Sequence, residues 1–581
     1  MVVSEPLLFH IAWASAPALP PAYVFFAGAL LLGALHRAPS LQRIVLLATP
    51  LIGLVNLATL DAGSSWTWHV LDFELVQLRV DRLSLLFGLL FHAGALLGVI
   101  YSLNVRDTAQ HAAALVYAGS ALGAVFAGDL ITLFFYWEGM ALSSAFLVWA
   151  GRTEESAGAG FRYLALHLLS GLLLLAGAIT HYQTTGLIAF DLIGAQGAAG
   201  WLILLAFGIK CGFPFLHSWI TDAYPQSTPG GTVFLSMFTT KVAVYSLARG
   251  FAGTELLVAV GVVMATFPIF YAVIENDLRR VLGYSMINQI GFMVAGIGVG
   301  TELALNGAVA HAFNEVFFKG LLFMSMGAVL HRVGHALGSD LGGLYRSMPW
   351  TTAFCIVGAA SISAFPLFSG FVSKSMIMAA VIEQGHTWGW LALLFASAGV
   401  FHHAGIKIPF FAFFAHDSGI RVAEAPRSML AAMAIAAGLC VAIGAWPELL
   451  YRLLPWQADY APYTYPHVIV QVQLLLFSAL AFAWLKLTGI YPPELRSTNL
   501  DADWIYRGLG TRVLQAAGAA LAYARGLLDQ PAYYAEQLPR HLLAPGGMLA
   551  RSASTGRTAM LAAGLLAACW LLYYLIDSLT A

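Results

Sequence analysis

Apolar runs of about 20 residues, each cut short by Gly, Pro or a few charges, follow one another along nearly the whole chain. A hydrocarbon core roughly 30 Å thick takes about 20 mostly apolar residues per helical crossing. Measured against that length, the pattern predicts spans at 21–36, 41–60, 82–103, 110–128, 130–150, 160–181, 199–220, 230–250, 255–274, 280–299, 302–330, 350–380, 387–414, 428–449, 466–488 and 558–577. As one straight helix the run 350–380 would measure about 46 Å, too long for an untilted crossing. A break around Pro366–Gly370 resolves this, and Gly212 with Pro214 predicts the same for 199–220. One stretch leaves the helical pattern: 66–81, WTWHVLDFELVQLRVD, partly alternates polar and apolar residues and is expected to be a strand or hairpin capping the outside.

Composition agrees with a polytopic all-α membrane protein. Of 581 residues 60% are hydrophobic and 10% charged, against about 25% charged in a soluble domain. A net charge of −1 offers no basic face for nucleic acid. Cys211, Cys355, Cys440 and Cys569 are scattered through apolar runs without CxxC spacing, so they are expected to be core residues and not disulfides or metal ligands. Ser4 and Glu5 open the chain without a basic leader, which argues against a cleaved signal peptide. Loops after odd-numbered spans hold Arg37, Arg43, Arg106, Arg152, Arg162, Arg279, Arg280, Arg332 and Arg346, whereas even-numbered loops hold Arg79, Arg82 and Arg249. The positive-inside rule then puts the N-terminus outside. Beyond 490, arginines 507, 512 and 525 among small apolar residues suit either a helix lying in the membrane surface or a plain cytoplasmic linker helix.

The lysines change the picture. All six are Lys210, Lys241, Lys319, Lys374, Lys407 and Lys486, and all but Lys486 lie well inside apolar stretches, while nearly all arginines fall in loops. Arginine stays protonated, whereas a buried lysine can lose its proton. Lys210 precedes Pro214, and Lys374 shares a second interrupted helix with Pro366, an arrangement that points to an ion pathway between inverted repeats. Snorkelling near helix ends is the plainer reading, strongest for Lys407. Glu138 is a mid-span carboxylate that must be paired or protonated, and Lys210 is its natural partner, either as a proton switch or as a structural ion pair. His311, Glu315 and Lys319 recur every four residues and so stack along one helix face about 12 Å long. Lys241 lies near the end of its span, where it could relay protons or neutralise a carboxylate. Asp129, Asp277 and Glu275 read as helix caps and surface pairs, while His167, His402 and His403 remain unranked.

With these residues in view, the chain resembles the antiporter-like subunits shared by respiratory complex I, membrane-bound hydrogenases and multi-subunit (Mrp-type) sodium/proton antiporters. The likeness rests on FFYWEGMALSS, GIKCGFPFLHSWITDAYPQSTPGGTVFLSMFTTKVAVYSLAR, IENDLRRVLGYSMINQIGFM, HAFNEVFFKGLLFMSMGAVL and FPLFSGFVSKSMIM, in family order across 129–380. The segment WITDAYPQSTP tilts it toward the D-type member of the Mrp set. The resemblance implies about 14 core transmembrane helices with two inverted five-helix repeats containing broken helices, plus extra helices at the C-terminus. The chain would then divide into 1–108 (helices and outside hairpin), 109–250 and 251–414 (the repeats), 415–490 (further helices), 491–557 (cytoplasmic or interfacial) and 558–577 (a last span). It also implies the Glu138–Lys210 pair, a central Lys319, an exit-side Lys374 and a family histidine at His311. Glu315 departs from the family, where many relatives carry a second histidine. So do His167, Ser170 and Gly171, since some relatives place an acid on that helix.

The expected function is that of a proton-translocating subunit of a multi-subunit sodium/proton antiporter in a bacterial inner membrane, conducting through Glu138, Lys210, Lys241, His311, Glu315, Lys319 and Lys374. Partners would be other subunits of a membrane complex and the lipid bilayer, with protons, and sodium as the exchanged cation. No cofactor is expected, because no GxGxxG with a following acid, P-loop, haem or cluster ligand set occurs. A pump module of a complex I-like oxidoreductase or hydrogenase, an ion-coupled unit of inorganic-carbon uptake, and a non-conducting scaffold are the rival readings. No nucleophile–base set or metal site suggests an enzyme.

Overall fold

The computed structural model describes residues 18–526, apart from 71, 458, 497 and 498, together with 564 and 566. The opening Ser4–Glu5, Cys569 and all but two positions of the span expected at 558–577 lie outside the described residues. The chain divides into two compact units, Met1–Ala502 and Asp503–Ala581.

In the first unit α1 (Pro21–Ala34) and α2 (Pro39–Ala58) lead into the expected hairpin, β1 (Ser65–Val70) and β2 (Phe73–Arg79). The strands are antiparallel, with Trp66 opposite Leu78 and Val70 opposite Phe73. There follow α3 (Arg82–Ser102), α4 (Thr108–Phe126), α5 (Leu130–Trp149), α6 (Glu154–Thr185), α7 (Gly197–Cys211), α8 (Ser218–Ala223), α9 (Pro229–Met237), α10 (Thr239–Gly250) and α11 (Leu256–Ile274). Then come α12 (Leu278–Val299), α13 (Glu302–Val333), α14 (Pro349–Ile362), α15 (Ser369–Glu383) and α16 (Thr387–Val400). A wide π-helical turn, Phe401–Lys407, extends α16, and α17 (Arg427–Ala445), α18 (Glu448–Tyr451) and α19 (Tyr465–Leu487) complete the series. Among the described residues twelve helical stretches are long and apolar enough to cross a membrane, and α1, α7 and α14 are shorter apolar helices.

The centre is built from α9, α10, α12 and α13. The apolar window of α12 is wholly buried, whereas that of α19 is 11% buried and turns Trp484 and Phe477 outward, as a lipid-facing helix should. Close approach makes the centre dense: a Cβ on Gly291 of α12 would lie 2.4 Å from the amide nitrogen of Ala265 on α11, so only glycine fits there.

Both expected breaks are present and built alike. Gly212 ends α7 in the left-handed region with Phe215 also at positive φ, and Ala364 and Leu367 repeat this, at the same spacing, between α14 and α15. Two further correspondences join the halves. Asp129 caps α5 and bridges to Ala189, while Asp277 caps α12 and bridges to Leu337. A third interruption has no counterpart in the expected spans: the run 230–250 is two helices, parted at Phe238 (φ −112°, ψ −68°).

In the second unit a π-turn over Ile505–Gly510 continues into a helix over 511–526, with Arg507 paired to Asp503 at 2.9 Å.

Candidate functional site

Glu138 sits mid-way along α5, half-buried, with its Oε1 enclosed and without a hydrogen-bond partner. Its carboxylate rests on Gly171 of α6, where a Cβ would come within 1.4 Å of Oε1. The absence of a side chain at 171 is what gives the acid its place. Lys210, fully buried in the last turn of α7, lies within electrostatic range of Glu138 yet makes no direct ion pair with it. Its ammonium instead donates to the Trp137 carbonyl at 2.5 Å and stands 4.4 Å from the centroid of the Trp137 ring. The expected pair is therefore open in this conformation. His167 of α6 is also buried within range of Lys210, stacked 4.1 Å from Tyr163, and neither ring nitrogen has a partner.

The break at Phe238 explains the next station. It frees the Ser236 carbonyl, and Lys241, one turn further on, donates to it at 3.0 Å and to Thr240 Oγ1 at 3.3 Å. Its ammonium pairs with Glu315 at 2.7 Å, both side chains having no solvent exposure. Of the two readings open for Lys241, neutralising a carboxylate is thus realised, and the carboxylate is Glu315. This contact joins α10 to α13, and Glu315 Oε1 is left without a partner.

Lys319, also fully buried, turns from α13 to Ser285 Oγ of α12 at 2.7 Å and lies within range of Glu315, Lys241 and Lys374. His311 bonds Gln289 Oε1 at 3.1 Å and Ser373 Oγ at 2.9 Å. Lys374 of α15 donates to the Ile362 carbonyl, freed where α14 ends, at 3.1 Å and stands 5.0 Å from the Phe292 ring centroid. Lys210 precedes its break, whereas Lys374 follows its own. Beside Lys374 opens a cavity of about 230 Å³ lined by Ser375, Ser397, His467 and Gln471 among apolar side chains. Of the seven expected residues, Lys241, Glu315, Lys319, His311 and Lys374 are thus brought into one buried cluster, while Glu138 and Lys210 neighbour each other and Cys211, next to Lys210 in the chain, lies within range of Lys241 and Glu315. Ser285, Gln289 and Ser373, not singled out from sequence, complete the cluster's hydrogen bonds. The polar run YSMINQ inside an otherwise apolar span was the signal available for Ser285 and Gln289.

Two expectations are corrected. Lys407 does not snorkel: it is fully buried, donates to the carbonyls of Val273 and Glu275 at 2.7 Å each, and pairs with Glu494 at 3.0 Å. Asp277 caps α12 as expected, but Arg279 is no surface partner. It is 3% exposed and donates to the carbonyls of Tyr224, Pro225 and Ser227. The segment after α19 is laid across this same face. Asn499 donates to Glu275 at 3.1 Å, and Asp501 accepts from His217 at 3.1 Å and from Tyr284 at 2.8 Å. Burial pushes the Asp501 carboxyl up, but the His217, Ala502 and Tyr284 bonds and the attraction of His217 outweigh it and hold the group below the ordinary range.

Fold and site define a polytopic helical membrane protein with a charged axis buried between paired broken helices. Residues 127–398 match the NADH:quinone oxidoreductase/Mrp antiporter transmembrane family, somewhat less than half of the chain. In Alkalihalophilus pseudofirmus the A-type subunit of the Na(+)/H(+) antiporter is 30% identical over 424 residues, covering 64% of this chain and 52% of that protein. The D-type subunit of the same organism's Na(+)/H(+) antiporter is 28% identical over 292 residues, covering 47% and 59% respectively. The chain thus spans between half and two thirds of the length of either relative. A chain in the structure of the Mrp complex from a Dietzia species superposes with a TM-score of 0.67 at 20% identity, over 80% of this chain and 98% of that one, a likeness of fold.

Proposed function

We propose that this chain is a proton-translocating subunit of a multi-subunit cation/proton antiporter of the Mrp type, multi-pass in a bacterial inner membrane with its N-terminus outside. The single observation that carries this reading is the set of ionisable groups buried together, Lys241, Glu315, Lys319, His311 and Lys374, with the Glu138–Lys210 neighbours reaching it at Cys211. Among them four amines face two carboxylates, and ammonium groups held in oil without a counter-charge give up protons readily. Each amine is steadied by a backbone carbonyl or a hydroxyl, so it keeps its place whether or not it is charged. The open Glu138–Lys210 pair supplies the trigger. When it closes, Lys210 leaves the Trp137 carbonyl and the charge felt at Lys241–Glu315 changes. That pair loosens in turn, Lys319 exchanges its proton, and Lys374 releases one into the cavity lined by His467 and Gln471. Steps of this kind act through neighbouring charge over short gaps bridged by water. Similarity to both the A-type and the D-type proteins supports the Mrp class, and the D type is the finer assignment we propose.

Proton flux in inverted vesicles holding the intact complex tests this reading. Glu138→Gln and Lys319→Ala are each expected to lower flux at least tenfold with assembly preserved. A scaffold would tolerate at least one of them, and normal flux in either variant refutes the proposal.

A further inference from the structure

A second line of buried polar groups leaves the axis at Lys319 and runs through the π-helical turn that follows α16. His403 has no solvent exposure and lies within electrostatic range of Lys319, His402 and Lys407. Neither of its ring nitrogens makes a hydrogen bond, apart from a loose approach to the Gly399 carbonyl. Next to it His402 buries an unpartnered Nε2 and stacks on Tyr491, with ring centroids 5.5 Å apart and planes at 11°. Tyr491 follows α19, is 5% exposed and keeps its buried hydroxyl unpartnered. Glu494 lies beside it, held by Lys407. Both histidines belong to the π-helical turn Phe401–Lys407, a local widening that recurs at working sites more than in plain spans.

Packing alone does not account for this row. Buried polar atoms are ordinarily satisfied, and a run of them left open marks where water or a passing proton completes the set. Lys407 is different. Its three acceptors saturate the ammonium, so it is a fixed cation that pins Glu494 and carries nothing itself.

We propose that His403 and His402 form a proton branch between Lys319 and the face covered by the segment after α19, with Glu494 as its port. This rests on the proton-translocating reading above: the branch delivers protons to Lys319, while the Glu138–Lys210 pair sets the charge that makes Lys319 exchange them.

The test measures cation-driven proton flux with the full chain in its native complex, in inverted vesicles, for Lys319→Ala, His403→Gln, Glu494→Gln and Glu494→Asp. Protease protection of the 489–502 segment is followed in each. His403→Gln is expected to reduce flux about tenfold. Glu494→Gln should reduce it several-fold with the segment still protected, and Glu494→Asp, which keeps a titratable group, should restore most of it. Normal flux in His403→Gln beside a dead Lys319→Ala overturns the branch and leaves the axis standing. Normal flux in both removes the axis and the branch with it. If His403→Gln fails to assemble, the Glu494 pair decides: loss in Gln with recovery in Asp supports the branch, whereas equal rates, or a loss that tracks release of the segment, overturns it.

Discussion

The Lys241–Glu315 pair offers the sharpest separation of conduction from scaffolding. Both side chains are fully buried, 2.7 Å apart, and they link α10 to α13 across the middle of the molecule. Removing one member of a buried pair strands the other and costs about 3–5 kcal/mol, whereas removing both and filling the space with apolar groups is often neutral. Lys241 would be the worse single loss, since Glu315 would then keep no hydrogen bond or ion pair, whereas Lys241 without Glu315 still donates to the Ser236 carbonyl and the Thr240 hydroxyl. Glu315→Leu and Lys241→Met alone should therefore each lower stability by about 3 kcal/mol or more. The double variant should return to within about 1 kcal/mol of the parent, a coupling measurable as a double-mutant cycle in thermal or detergent unfolding. Flux should not follow stability. If the pair relays protons, the double variant is as stable as the parent and still at least tenfold slower in vesicles. A double variant that regains both stability and flux would make the pair structural and refute its place in the relay.

Two further outcomes follow from the geometry. Gly171→Ala puts a methyl where the Glu138 carboxylate now rests, so the acid must move by more than an ångström. A displacement of that size at a proton-transfer group predicts roughly ten- to hundredfold slower flux with the fold intact, checked by the vesicle assay. Asp501 holds the segment after α19 and has a carboxyl below the ordinary range. Such a group stabilises docking fully above its free value of about 3.9 and loses that contribution as pH falls through its lower docked value. Protease protection of 489–502 should thus persist from neutral to mildly acidic pH and fail only below about pH 4. In Asp501→Asn it should be weaker throughout the range, and protection that is unchanged in this variant would refute the anchor.

How much of this could be read before folding varies from element to element. The breaks in 199–220 and 350–380 are local events: proline removes a donor, an over-long apolar run cannot cross straight, and both facts belong to the covalent chain. The same holds for the hairpin, the caps at Asp129 and Asp277, and the burial of lysines in place of arginines, since dehydration of charge depends on residue type and depth. Which groups would meet was not legible in the same way. A helix turns about 100° per residue, so a small rotation of α13 would have given Glu315 to a residue of α12 such as Ser285 and not to Lys241, and nothing in one linear string sets that rotation. The interruption at Phe238 carries no Gly or Pro signal, yet it frees the Ser236 carbonyl that steadies Lys241. Lys407 read as a snorkelling residue because its partner Glu494 is far away along the chain. Burial and titratable chemistry are thus properties of composition and local pattern, while partnership depends on lateral packing, where contacts distant in sequence compete and the tightest fit selects among pairings the residues would equally allow.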